Sequence, residues 1–174
     1  MFYICNNYKQ DMEKTKILFV CLGNICRSPS AEAVMKGLVK KVGLSDEFEI
    51  DSAGTAAWHA GEQADARMQT HALKRGYNLS SISRKVNPGF DFDYFDYIIA
   101  MDEQNMDDLQ DLVESDEQRA KLHMMTDFSN RYSYNHIPDP YYGGESGFEL
   151  VLDLLEDACH GFLTHLNDEK RNKK

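Results

Sequence analysis

Cysteine, proline and tryptophan are scarce in this 174-residue chain, at four, four and one. Cysteines at positions 5, 21, 26 and 159 have neither the density nor the spacing of a secreted disulfide framework, so they read as reduced thiols of a cytoplasmic protein. Basic side chains are also in the minority, 19 against 29 acidic, a formal net charge of −10, and no Lys/Arg stripe gathers them. Nucleic acid and anionic membranes attract clustered positive charge, so neither is an expected partner. No stretch reaches the ~18 to 20 apolar residues of a membrane span. Residues 1–15 (MFYICNNYKQDMEKT) lack the continuous apolar core of a signal peptide. Repeats and low-complexity blocks are absent as well. This leaves one globular domain, expected over 15–167, with a poorly ordered extension at 1–14 and a charged, frayed tail at 168–174. Regular patterning begins at Lys16, and a start at Met12 fits the same reading.

Between those ends the apolar period alternates. Residues 16–21 (KILFVC) form a short, almost wholly apolar run of the kind a doubly covered parallel strand needs. Ala31, Val34, Met35, Leu38 and Val39 then mark one helix face, ending near Gly43. Residues 48–53 suit a second strand, 64–76 a helix stopped by its glycine, 95–101 a third strand and 121–125 a short fourth. Met106, Leu109, Leu112 and Val113 mark a helix after the third strand, and an apolar stripe from Phe148 to Leu166 marks a long last helix. Alternating strand and helix predicts a single-domain, three-layer α/β sandwich with ligands at the carboxyl edge of its sheet.

The densest chemical signal follows the first strand, at 21–29 (CLGNICRSP). A cysteine at a strand end, followed by a helix, faces the N–H groups and the positive end of that helix. Gly23 and Asn24 tolerate left-handed backbone and so can turn successive amides inward as an anion nest. Arg27 adds a planar fork for two phosphoryl oxygens. Ser28 before Pro29 reads as an N-cap and first-turn pair. In that field Cys21 is expected to ionise at neutral pH and to act as a nucleophile on bound phosphate. No second cysteine pair or histidine pair stands at ligand spacing, which excludes structural zinc, and no Gly-Lys-Ser/Thr ends the loop, which excludes a Walker-type nucleotide site. Neither metal nor organic cofactor is expected.

An attack on phosphorus leaves an oxygen that needs a proton, and Asp139, between Pro138 and Pro140, is the candidate donor. Its prolines hold it extended, in a loop leading to the last helix and so toward the same rim as Cys21. Tyr141, Tyr142 and Trp58 offer apolar walls for an aromatic leaving group, or ordinary rim packing.

Residues 20–34 (VCLGNICRSPSAEAV) with 139–143 (DPYYG), 51–55 (DSAGT) and Met101-Asp102 resemble the low-molecular-weight protein tyrosine phosphatase family, in order and spacing, from about Lys16 to Leu166. The resemblance implies a four-stranded parallel sheet, with Cys21 as nucleophile, Arg27 as phosphate clamp and Asp139 as general acid, then base. It implies that Leu22, Gly23, Asn24, Ile25 and Cys26 form the phosphate loop, that Asn24, Ser28 and Ser52 form its polar support, and that Leu22, Trp58, Tyr141 and Tyr142 line the pocket. The implied partner is a phosphotyrosine protein, with inorganic phosphate or another oxyanion in the loop; a monomer is expected. One departure stands out: many members carry a histidine supporting the loop asparagine where this chain has Ser81. His71, ten residues earlier, reads as a surface-helix residue.

Three alternatives share features with this reading. Arsenate reductases need a downstream redox cysteine pair, and only Cys159 follows the loop. Phosphoarginine phosphatases of this fold tend to carry threonine at the position of Ile25. A silent phosphotyrosine-binding module needs neither nucleophile nor acid. Cys26 is close enough in sequence to pair reversibly with Cys21, or is simply a small buried side chain; both readings stand.

Overall fold

The computed structural model describes residues 13–173. Residues 1–12, most of the expected N-terminal extension, lie outside it. Four strands, β1 (Thr15–Cys21), β2 (Phe48–Gly54), β3 (Tyr97–Ala100) and β4 (Leu122–Met124), form one parallel sheet in the order β2-β1-β3-β4. The helices are α1 (Arg27–Lys41), α2 (Ala66–Lys74), α3 (Asp91–Tyr94), α4 (Glu103–Gln110), α5 (Asp116–Arg119) and α6 (Glu145–Asn172). The expected α/β sandwich is therefore the observed one.

β1 is apolar at successive positions because helices cover both of its faces. Ile17, Phe19 and Cys21 point into the core shared with α1 and α6, while Leu18 and Val20 point into a second core with Phe92, Phe95 and Leu109. Each buried Ile, Leu, Val or Phe among them contributes about 1.5–3 kcal/mol of transfer free energy. In register Cys21 pairs with Gly54, and the Met101 N–H donates to the Val20 carbonyl at 3.1 Å, so β1, β2 and β3 end together. That common carboxyl edge presents Cys21, the segment after β2 and Asp102 to one side. Among the described residues no helix is long and apolar enough to cross a membrane.

Several details depart from the pattern reading. α1 begins at Arg27, with Cys26 at the cap position and no side-chain cap, so Ser28 lies inside the first turn and its hydroxyl is free for the site. α4 ends at Gln110, and Leu112 and Val113 pack onto the second core from the turn beyond. His71 is buried, because the 68, 71, 72 face of α2 turns toward α6; its ring stacks on Phe148 at 5.3 Å and its Nδ1 lies 2.5 Å from Glu149 Oε1. The charged tail is helical as far as Asn172: Tyr97 Oη donates to Glu169, and Lys170 Nζ lies 2.9 Å from Glu47 and over the Phe48 ring. α6 passes the turn at residues 125–128 so closely that a Cβ on Gly161 would sit 1.9 Å from the Phe128 carbonyl oxygen.

Candidate active site

The phosphate loop starts where β1 stops. Cys21 and Arg27 are both buried at its ends, and the N-terminus of the 15-residue α1 faces the turn between them. Of the two residues expected to take left-handed backbone, only Asn24 does, at φ 54°. Gly23 is needed for space instead: a Cβ there would meet His59 Cδ2 at 3.1 Å. The same reason holds for Gly54 beneath the loop, where a Cβ would lie 2.7 Å from the Leu22 carbonyl oxygen.

Asn24 organises the polar support. Its Nδ2 donates to Ser28 Oγ at 2.8 Å and to Ser52 Oγ at 3.0 Å, and its Oδ1 accepts the Arg84 N–H at 2.9 Å. Each serine accepts one bond from Asn24; Ser52 Oγ donates onward to Glu32 Oε2 at 2.5 Å, while Ser28 Oγ lies 3.0 Å from Cys21 Sγ, where either atom can donate, and 3.3 Å from the Ala53 carbonyl oxygen. An ionised sulfur can only accept, so against a thiolate the Ser28 hydroxyl is the donor and stabilises the charge. Glu32, buried and paired at 2.5 Å with Lys36, ends the chain as its acceptor. Ser81 takes no part. The segment around it supports the loop through backbone and neighbours: the Arg84 N–H bonds Asn24, Ser83 Oγ donates to the Gly23 carbonyl at 3.0 Å, and the Arg84 guanidinium grips Asp51 and buried Asp91.

Arg27 lies across the cavity. Its Nη1 donates to Asp102 Oδ2 at 2.5 Å and to the Ile137 carbonyl at 3.1 Å, and its Nη2 reaches Asp139 Oδ2 at 3.4 Å. Burial alone would loosen its proton, but negative charge at Cys21 and the Asp102 and Asp139 carboxylates outweigh burial and hold its pKa above the ordinary value. Asp102 is thus doubly used, since its Oδ1 also caps α4 by accepting the Asn105 N–H at 2.7 Å. Burial pushes the Cys26 thiol far up, and the charges at Asp65, Cys21 and Asp139 push it further, so Cys26 stays protonated beside its neighbour. Cys21 and Cys26 are both free thiols.

Leu22, Ile25, Trp58, Tyr141 and Tyr142 wall the pocket above Cys21 and Arg27, with Asp139 at its side. Tyr141 and Tyr142 meet edge to face at 4.9 Å, while Trp58 and Tyr142 are largely exposed at the mouth. His59 completes the wall, its Nδ1 2.8 Å from Glu62. Sequence reading missed His59, Glu32, Ser83 and Arg84, and met Asp102 only as part of a motif. The i, i+4 Glu32–Lys36 spacing is an ordinary solvated helix pair in sequence, and nothing local announces that Glu32 faces inward.

Residues 16–172 match the model of the low molecular weight phosphotyrosine protein phosphatases. A putative low molecular weight protein-tyrosine-phosphatase of Synechocystis is 44% identical over 157 residues, covering 90% of this chain and 99% of its own. A protein tyrosine phosphatase of Entamoeba histolytica, solved with Hepes in its active site, superposes with a TM-score of 0.87 at 48% identity, over 90% of this chain and 99% of its own. A Drosophila arginine phosphatase is also similar, with a TM-score of 0.81 at 34% identity over 87% and 97%. With both motifs in place on this fold, the chain belongs to the low molecular weight phosphotyrosine protein phosphatases, which are phosphoric monoester hydrolases.

Proposed function

We propose that Cys21, Arg27 and Asp139 hydrolyse a phosphotyrosine ester in two in-line displacements. In the first, the Cys21 thiolate forms an S–P bond as the phenolic O–P bond breaks, and Asp139 gives its proton to the leaving phenolate. In the second, water forms an O–P bond as the S–P bond breaks, Asp139 takes the water's proton, and inorganic phosphate leaves. Arg27 and the loop amides stabilise the equatorial oxygens in both steps, and Ser28 stabilises the sulfur anion as it departs. The observation that carries this reading is the convergence on one pocket of a sulfur bonded to Ser28 at 3.0 Å, a buried guanidinium and an exposed carboxylate 3.4 Å from that guanidinium.

An arginine phosphatase shares the fold, so the fold does not choose between an O–P ester and an N–P bond. The apolar Ile25 and the aromatic walls favour a phenyl ring, which buries well against both. All these groups come from one chain, which supports action as a monomer, and three buried free thiols among the described residues suit a reducing, cytoplasmic compartment. Phosphate release from a phosphotyrosine peptide, with phosphoserine and phosphoarginine peptides as controls, tests the reading. Turnover is expected to vanish in Cys21→Ser and to fall ~10²-fold or more in Asp139→Ala. Activity that survives Cys21→Ser, or a preference for phosphoarginine, overturns it.

A further inference from the structure

Arg67, in the first turn of α2, touches neither the sulfur nor the phosphate cavity, yet it links the two loops of the site, bonding the acid loop directly and the phosphate loop through Asp65. On one side its Nε and Nη2 donate to Oδ1 and Oδ2 of Asp65 at 3.1 and 2.8 Å, a fork against a single carboxylate. Asp65 is itself fixed: its carboxylate caps α2, and its N–H donates to the Ile25 carbonyl of the phosphate loop at 2.8 Å. On the other side Arg67 Nη2 donates to the Tyr141 carbonyl at 3.2 Å. The guanidinium lies 5.4 Å from the Tyr141 ring centre and 5.0 Å from that of Phe148, which is buried in the first turn of α6. The Tyr141 N–H in turn donates to Asp139 Oδ1 at 3.0 Å. A continuous path therefore runs from the Ile25 carbonyl through Asp65, Arg67 and Tyr141 to the Asp139 carboxylate.

Arg27 reaches Asp139 at 3.4 Å, Pro140 is buried and Tyr141 packs on the core, but the rest of the acid loop has little to hold it. Tyr142 is almost fully exposed, a Cβ on Gly144 would meet nothing, and one on Gly143 would meet only the Pro140 carbonyl at 3.5 Å. A loop whose tip packs so little takes its position in part from tethers, and a planar, forked cation that also stacks on rings is suited to that work. We propose that Arg67 is a positioning residue that sets Asp139 at the distance from the phosphate loop at which it can protonate the leaving oxygen. The proposal rests on the reading of Asp139 as general acid.

Protonation matters only for leaving groups that need it. Steady-state kcat/KM is measured on the full chain for phenyl phosphate, a poor leaving group, and for dinitrophenyl phosphate, whose phenolate departs without a proton. The variants are Arg67→Met, Arg67→Lys, Asp139→Ala and the Arg67→Met/Asp139→Ala double. Arg67→Met is expected to lower kcat/KM for phenyl phosphate ~10-fold or more, because small displacements of a catalytic group are costly. Dinitrophenyl phosphate is expected to stay within about twofold, and Arg67→Met to add nothing once Asp139 is gone. Arg67→Lys, which keeps charge but not fork or plane, is expected to show the same selective loss, and serves if the methionine variant does not fold. An equal loss on both esters, a rise in KM alone, or additivity in the double variant overturns the proposal. If Asp139→Ala itself shows no leaving-group dependence, the reading of Asp139 falls, and this proposal with it. If Asp139→Ala shows that dependence and the Arg67 variants do not, only this proposal falls.

Discussion

The phosphate loop is largely buried and its polar side chains are bonded, whereas the acid loop at 139–144, apart from buried Pro140, is more open to solvent, holds two glycines and is tied at few points. The difference follows from what each handles. A dianionic phosphoryl group is stabilised by dipoles and charges already aimed, and a buried polar atom is tolerable only when bonded, so the loop that binds it carries a full supporting network. A proton donor must meet an ester oxygen and then a water in the same place, so it belongs on a rim that solvent reaches. Charge recognition is built into the core; proton transfer is hung from it.

If that division is right, the largest effect comes from the buried side. Arg27→Met removes the cation that Asp102, Ile137 and Asp139 all grip and is expected to lower kcat by about 10³-fold or more, read in steady-state assays with phosphotyrosine peptide. The same small change made in both loops sharpens the contrast. Gly54→Ala forces a Cβ to within 2.7 Å of the Leu22 carbonyl and 3.3 Å of Asn24 Cβ, so the phosphate loop must shift. A loss in kcat/KM of about 10²-fold is expected. Gly143→Ala has only the Pro140 carbonyl at 3.5 Å, and kcat/KM is expected to stay within about twofold. Equal losses at the two glycines would show that the acid loop is as tightly specified as the phosphate loop.

How much of this was legible in sequence divides along the same line. The layers and the loop that follows the first strand were readable, because β1 and α1 are local patterns and Cys21, Arg27 and Asp139 sit in short contiguous motifs. The support was not. Glu32 reaches Ser52 across 20 residues and Arg84 reaches Asp51 across 33, and such pairs are decided by how a helix or strap lies over the sheet. Ser28 looked like a cap because serine before proline usually is one; here the site takes the hydroxyl and the helix begins without it. His71 looked solvated because histidine in a polar helix usually is, and only the approach of α6 buries it. The charged tail showed no apolar period that would extend the helix, yet two partners distant in sequence, Tyr97 and Glu47, hold it.

The smallest expected effect lies behind the acid loop, where Glu149 of α6 joins α2. The Arg75 guanidinium, then His71, hold the Glu149 carboxylate below its ordinary range, while its partial burial works weakly the other way. A carboxyl whose folded pKa is depressed adds stability above its unfolded pKa and loses that stability as pH falls through the folded value. The contribution is therefore complete at neutral pH and fades below about pH 4.3, the unfolded value for glutamate. The carboxylate is 42% exposed, so solvent limits the contribution to about 1 kcal/mol or less. Glu149→Gln is thus expected to lower Tm by about 1–4 °C at pH 7 in a chain of this size. In acid, where the wild-type carboxyl is also neutral, the two melting curves are expected to converge. Because α6 begins just after the acid loop and carries Phe148 beneath Arg67, the same variant asks whether the loop depends on the α2–α6 junction. An unchanged kcat/KM at pH 7 places the tether in Arg67 itself; a loss confined to poor leaving groups extends it to the junction.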